Sequence, residues 1–299
     1  MMAEKSFSAW ITATRPWSFT ASALTVLVVL AYLEWWVGGV DWLHGLWAVG
    51  AIVLFHAAGN TWSDWHDFRR GIDAADTHGV DSLTSGRFSP RAILCLSLGL
   101  YAAACALGLG LMLRTGLPLL RVGLSGFLLA LLYPPLKYRA LGDGVILLNY
   151  CLLPALGTSF VAIGRFEPAV LWAALPVGLL VNAILHANNS RDMLTDRRAR
   201  ACTLAHLLGV RGSRVLYVAE SLCPFAWVVA VAALGLLPPG ACAVLLLLPV
   251  ALRNCRTMAA YRCEADAAAI STLDLSSAQL QLLFSALLTL ALLLHTWLR

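Results

Sequence analysis

Apolar residues run through this chain in long unbroken blocks and do not alternate with polar ones. Nine blocks can be marked off, at about 17–33, 42–62, 91–113, 117–133, 145–163, 169–187, 214–236, 240–252 and 280–298. Most approach the roughly 20 residues that an α-helix needs to cross a bilayer. Continuous runs predict helices, because a membrane β-barrel shows shorter segments of alternating polarity. Arg15-Pro16 and Ser89-Pro90 read as helix starts, with Pro in the first turn and Ser89 as N-cap. Pro134-Pro135 reads as the stop of the fourth block, and Gly71 as the end of the second. The eighth block is short for a span. Residues 1–14 form a polar and aromatic lead-in at the membrane surface. The expected fold is all-α: a polytopic membrane helical bundle of about nine transmembrane helices, forming one domain over residues 1–299.

Composition agrees. Mean hydropathy is +0.78 and only 12% of residues are charged, which excludes an ordinary soluble domain. Arg15-Pro16 leads straight into a full-length block with no small-residue cleavage site, so no cleaved signal peptide is expected. The eight cysteines form no CxxC pair and lie mostly in apolar runs, where they read as small packing residues. Charge becomes informative once it is sorted by loop. With nine spans and a cytoplasmic N-terminus, 17 of the 21 Lys and Arg fall on the cytoplasmic side. An integral protein of a bacterial cell membrane is expected, with its charged loops in the cytoplasm.

Against this apolar background, four of the sixteen carboxylates crowd between Asp64 and Asp76, at the end of the second block. Charge at such a place is costly unless it has a use. On a helix His56, Asn60, Asp64 and Asp67 share one face, and beyond Gly71 a loop carrying Asp73 and Asp76 can fold back toward it. A second cluster, Asn188, Asn189, Arg191, Asp192 and Asp196, ends the sixth block, with Asn188, Asp192 and Asp196 on one helical face. Asn60 to Asn188 and Asp64 to Asp192 are both 128 residues apart. Such an offset suggests a direct internal repeat, about 15–140 and 141–299.

Oxygen-only ligands favour Mg²⁺ over Zn²⁺. Carboxylates with Mg²⁺, beside Arg191, Arg197, Arg198, Arg200, Lys137 and Arg139, are the parts that bind a diphosphate and neutralise a departing phosphate oxygen. A lipid-facing bundle behind them accepts a long hydrocarbon. Together they point to a prenyl diphosphate, ionised at the membrane, whose prenyl group passes to an acceptor. Trp62, Trp65, Phe68, Tyr133 and Tyr138 stand near enough to stabilise an allylic cation, or serve as an interfacial belt. His56 and His186 are each expected to face the cavity, as a general base or as a hydrogen-bonded interior histidine.

These motifs resemble the UbiA superfamily of intramembrane prenyltransferases, and within it the MenA-like branch acting on 1,4-dihydroxy-2-naphthoate in menaquinone biosynthesis. The first is similar to N-x-x-N-D-x-x-D-x-x-x-G-x-D at Asn60, Asp64, Asp67, Gly71 and Asp73. The second resembles N-N-x-R-D-x-x-x-D followed by T-L-A, at Asn188, Asn189, Arg191, Asp192, Asp196 and Thr203-Leu204-Ala205. The resemblance implies Mg²⁺ on Asp64, Asp67, Asp73, Asp192 and Asp196, with Arg191 sharing the catalytic work. It implies diphosphate or acceptor contacts from Asn60, Tyr133, Lys137, Arg139, Asn188, Asn189 and Arg200. The implied partners are a prenyl diphosphate, an aromatic acceptor and the bilayer, with no nucleic acid. Ser63 stands where the pattern has Asn and Ala201 where it has Lys; Arg200, next door, can supply the missing positive charge. Three other readings stay open: a different acceptor, a terpene cyclase using the same donor, and a membrane transporter, which would carry its charges near the bilayer midplane.

Overall fold

A computed structural model describes residues 6–72 and 82–298. Among them, nine helices are long and apolar enough to cross a membrane. A short helix α1 (Phe7–Ala13) precedes α2 (Thr20–Trp36), and α3 (Trp42–Arg69), α4 (Pro90–Thr115) and α5 (Leu119–Lys137) follow. The fifth span joins α6 (Gly142–Leu147) to α7 (Leu153–Ile163) through a π-helical turn at Leu148–Leu152. Then come α8 (Leu171–Arg191), the short α9 (Met193–Arg198), α10 (Leu204–Ala233), α11 (Leu248–Ala259) and α12 (Leu273–Trp297).

The main core gathers α2, α7, α8, α10 and α12. Helix α2 runs through its middle, with Val28 to Leu33 sealed from the surface. That explains why α2 is apolar on every side. Helices α4 and α5 lie outside and present Leu98, Leu109, Leu124 and Leu128 outward. Gly178 brings α8 against the π-turn, where an added Cβ would stand 2.5 Å from that of Cys151.

Helix boundaries depart from the apolar blocks in ways that matter for the polar end. Pro134-Pro135 does not stop α5, which continues to Lys137. The amide that Pro135 lacks would have bonded the carbonyl of Leu131, and Trp62 Nε1 donates to that carbonyl instead, at 3.2 Å. The lost bond is thus replaced, and Lys137 stays on the helix. Helix α12 begins at Leu273, seven residues before its apolar block, and so carries Asp274. The hydroxyls of Ser276 and Ser277 fold back onto the Leu273 carbonyl, at 3.0 and 2.7 Å. Helix α10 starts at Leu204, ahead of the expected Arg214, and is broken at Gly209 (φ 63°). Thr203 of the T-L-A segment is its N-cap, paired with His206. The eighth span is longer than its block because a 3₁₀ run, Pro239–Leu247, precedes α11. Two expectations match the structure. Ser89 caps α4 through Ala92 N, and Gly71 (φ 70°) follows the end of α3.

Candidate active site

Helix polarity alternates along the bundle, so the starts of α2, α10 and α12 meet the ends of α3, α5 and α8 at one face. A cavity of about 690 Å³ opens there. It is lined by Asn60, Asp64 and Asp67 from α3, Tyr133 and Lys137 from α5, and Asn188, Asn189 and Arg191 from α8. Asp192, Asp196, Arg15 and Asp274 complete the polar rim. Spacing on α3 is as expected, His56, Asn60, Asp64 and Asp67 all reaching the cavity. The second motif is different in form. Asp192 ends α8 and starts α9, so Asp196 sits on a new short helix. Both carboxylates nevertheless face the cavity. Asp73 and Asp76 lie outside the described residues.

Cationic side chains hold the acidic ones. Arg15, in a left-handed backbone conformation (φ 56°), pairs with Asp64. Lys137 Nζ lies 3.2 Å from Asp67 Oδ2, and the Tyr138 hydroxyl donates to Asp67 Oδ1. Arg191 grips Asp192 with two bonds of 2.8 and 2.9 Å and reaches Asp274 at 2.8 Å with its third nitrogen. Such bidentate, charge-assisted contacts are the stronger kind. Burial pushes the Asp196 carboxyl up to about 6, against the pull of Lys137 and with help from the Asp192 and Asp67 carboxylates. Burial and the neighbouring Asp67 likewise raise the Tyr138 phenol. The donor set is all oxygen and carries crowded negative charge, which a hard divalent cation relieves. Among the described residues no three His, Cys, Asp or Glu side chains converge on one point. The carboxylates ring the cavity wall instead, four of them (Asp64, Asp67, Asp192 and Asp274) in contact with a positive group. The residues therefore fit Mg²⁺ by chemistry and shared cavity.

Several expected residues lie elsewhere. Arg139 and Arg200 are exposed and do not line the cavity. Their segments pair through an isolated β-bridge, Arg139 to Cys202, with the Ala140 amide donating to the Cys202 carbonyl at 2.7 Å and the Cys202 amide to the Tyr138 carbonyl at 3.2 Å. Ala201 is buried against Ile72 and Tyr138 in a small apolar cluster. Of the five aromatic side chains, only Tyr133 lines the cavity. Trp62 stacks on Trp65 at 5.5 Å, and Trp65 and Phe68 pack toward Leu83 and Phe88. Of the two histidines, only His56 lines it; His186 is sealed behind the wall, its Nδ1 3.6 Å from Asp143 Oδ1. Sequence reasoning missed Asp274, whose signal was a carboxylate six residues, nearly two turns, before an apolar block. It also read Arg15 only as part of a helix start.

The fold and the cavity define a helical bundle with nine membrane-length helices among the described residues and a polar cavity at one end. The chain belongs to the UbiA prenyltransferase family, whose sequence profile matches residues 22–277. It is 36% identical over 219 residues to UbiA prenyltransferase domain-containing protein 1 of Danio rerio, covering 70% of this chain and 64% of that protein. The protein of the same name from Homo sapiens is 34% identical over 225 residues, covering 73% of this chain and 66% of that one. The chain thus spans just under two thirds of these relatives. Among solved structures, it is similar to a UbiA homologue from Archaeoglobus fulgidus bound to DMAPP and Mg²⁺. That pair has a TM-score of 0.63 and 14% identity, over 95% of this chain and 98% of the other. It also resembles a structure concerned with digeranylgeranylglyceryl phosphate synthase, with a TM-score of 0.61 and 15% identity, over 97% and 98%.

Proposed function

We propose that this protein transfers a prenyl group from a prenyl diphosphate to an aromatic acceptor, in a Mg²⁺-dependent reaction. One observation carries the reading: two aspartate-bearing helix ends and three cationic side chains surround a single cavity that continues into apolar wall. Asp64, Asp67, Asp192 and Asp196, with Asp73, hold the metal. When bound, Mg²⁺ supplies the charge that neutralises the departing diphosphate. Arg15, Lys137 and Arg191 orient the diphosphate oxygens, and Asn60 and Asn188 hold the edge of the group. The apolar wall takes the prenyl chain and keeps water from the reacting carbon. Structural neighbours bound to GPP or DMAPP with Mg²⁺ support the choice of donor. The N-N-x-R-D pattern of the second motif supports 1,4-dihydroxy-2-naphthoate as acceptor, and hence a place in menaquinone biosynthesis. The distribution of Lys and Arg supports a cytoplasm-facing cavity.

The test is to incubate purified protein with geranyl diphosphate, Mg²⁺ and a panel of aromatic acceptors, and to identify products by mass. Prenylated naphthoate is expected. EDTA should abolish turnover, Mg²⁺ should restore it, and Asp67→Asn or Asp192→Asn should lower kcat by at least a hundredfold. Full turnover in metal-free buffer would overturn the reading.

A further inference from the structure

On α3 the stripe His56, Asn60 and Asp64 meets one short stretch of chain, residues 14–22, and meets it in order. Asp64 pairs with Arg15, Asn60 reaches Thr14 and Ser18, and His56 lies between Ser18 and Ser22. The i, i+4, i+8 spacing that puts these three residues on one face thus works as a ladder against the start of α2.

At the head of that ladder the backbone is strained. Arg15 precedes Pro16, a place that favours extended backbone. It is instead left-handed, with φ 56° and ψ 60°, a region unfavourable for a residue with a Cβ. Glycine would take it freely, so the join between α1 and α2 does not by itself call for arginine. Strain of this kind gathers at functional positions, where the surrounding structure holds it in place.

Three side chains hold it here. The Arg15 carbonyl accepts from the Ser18 amide at 2.9 Å and from Ser18 Oγ at 2.8 Å. Asn60 Nδ2 donates to the Thr14 carbonyl at 3.0 Å and to Ser18 Oγ at 3.1 Å. The peptide groups on both sides of the Arg15 Cα are therefore tied down. His56 Nε2 lies 3.2 Å from Ser18 Oγ, and its Nδ1 3.0 Å from Ser22 Oγ. With the one hydrogen of Ser18 on the Arg15 carbonyl, His56 donates from Nε2 and accepts from Ser22 at Nδ1. Ser18 Oγ then gives one hydrogen and accepts two, which saturates it. His56, buried and bonded at both nitrogens, acts as a strut between α2 and α3. The brace fixes the backbone from which the long Arg15 side chain extends, so less freedom remains to be lost when its guanidinium engages an anion.

We propose that His56, Ser18 and Asn60 are positioning residues, which hold Arg15 in its left-handed turn and so aim its guanidinium at Asp64 and the diphosphate beside it. The inference rests on the prenyl-transfer reading above. It gives the histidine of the α3 stripe a task at the phosphate end of the cavity, carried out through Arg15.

Isothermal titration of the full chain with geranyl diphosphate and Mg²⁺, run as a double-mutant cycle, tests it. Arg15→Gly keeps the turn without strain and removes the guanidinium; it should weaken binding at least tenfold. Ser18→Ala should weaken binding at least threefold in the wild-type background, and Ser18→Thr, which keeps the hydroxyl, should stay within twofold of wild type. In the Arg15→Gly background Ser18→Ala should cost less than a further twofold, because there is no guanidinium left to aim. A residue that merely supports the wall would weaken binding by the same factor in both backgrounds, and that result overturns the inference. So does a loss below threefold for Ser18→Ala beside wild type. Thermal unfolding without ligand reports on folding. If Ser18→Ala does not fold, His56→Leu decides by the same cycle and the same limits. Failure of wild type to bind geranyl diphosphate with Mg²⁺ defeats the prenyl-transfer reading, and the positioning role with it.

Discussion

At Ala201 a methyl group stands where the related pattern has an ammonium, and the methyl is used. It packs with Ile72 against Tyr138, whose hydroxyl is bonded to Asp67. Introducing a charged chain there strands it in an apolar cluster, and the cost is on the order of several kcal/mol when no partner is supplied. Ala201→Lys should therefore lower the unfolding midpoint by several degrees, while Arg200→Ala, on the outer surface, should change the donor KM less than twofold. Thermal unfolding and donor titration check both. Asp196 makes a pH prediction. Its carboxyl lies at about 6, above the ordinary 3.8, so the fold disfavours its ionised form. Through this group the metal-free protein is most stable below about pH 4 and loses stability as pH rises through about 6. Mg²⁺ restores what ionisation costs, so its effect on Tm should be larger near pH 7.5 than near pH 5. The opposite order would show that Asp196 is not among the ligands.

At the scale of elements, the end of α5 shows how a sequence signal can be overridden. Two prolines in succession predict a stop because each removes a helix hydrogen bond. Trp62, on α3, donates to the carbonyl that Pro135 leaves free, and the helix runs on to deliver Lys137 to Asp67. Trp62→Phe keeps the ring and removes that donor. It should cost about 1 kcal/mol of stability, the size of one net hydrogen bond. It should also raise the donor KM, because Lys137 loses its fixed position. A lower Tm with unchanged donor KM would mean that Lys137 is held by other contacts. Asp192 makes the converse point. Its i, i+4 spacing to Asp196 suggested one continuous helix, and a break at Asp192 still leaves both carboxylates on the cavity, because α9 restarts at once.

For the whole molecule, the alternation of nine spans predicts that the loops after α3 and α8 lie on one side of the membrane. Single cysteines at Ser85 and Arg200, both exposed, should react with an impermeant maleimide from the same side of sealed vesicles. Labelling from opposite sides would contradict the span count and a shared site. The number of spans, the two acidic helix ends and their common side were legible in the sequence. Apolar length and charge are properties of the chain itself, and a bilayer converts them directly into span and orientation. The partners of those acidic groups were not legible. Asp64 meets Arg15, Asp67 meets Lys137 and Tyr138, and Arg191 bridges Asp192 to Asp274, over separations of 49, 70, 71 and 83 residues for the long-range pairs. Nor did periodicity separate His56, which lines the cavity, from His186, which does not, since each lies on a helix face with polar neighbours. Pattern along one helix tells which residues share a face. What that face meets depends on the rotation and packing of helices distant in sequence, and only the assembled bundle decides it.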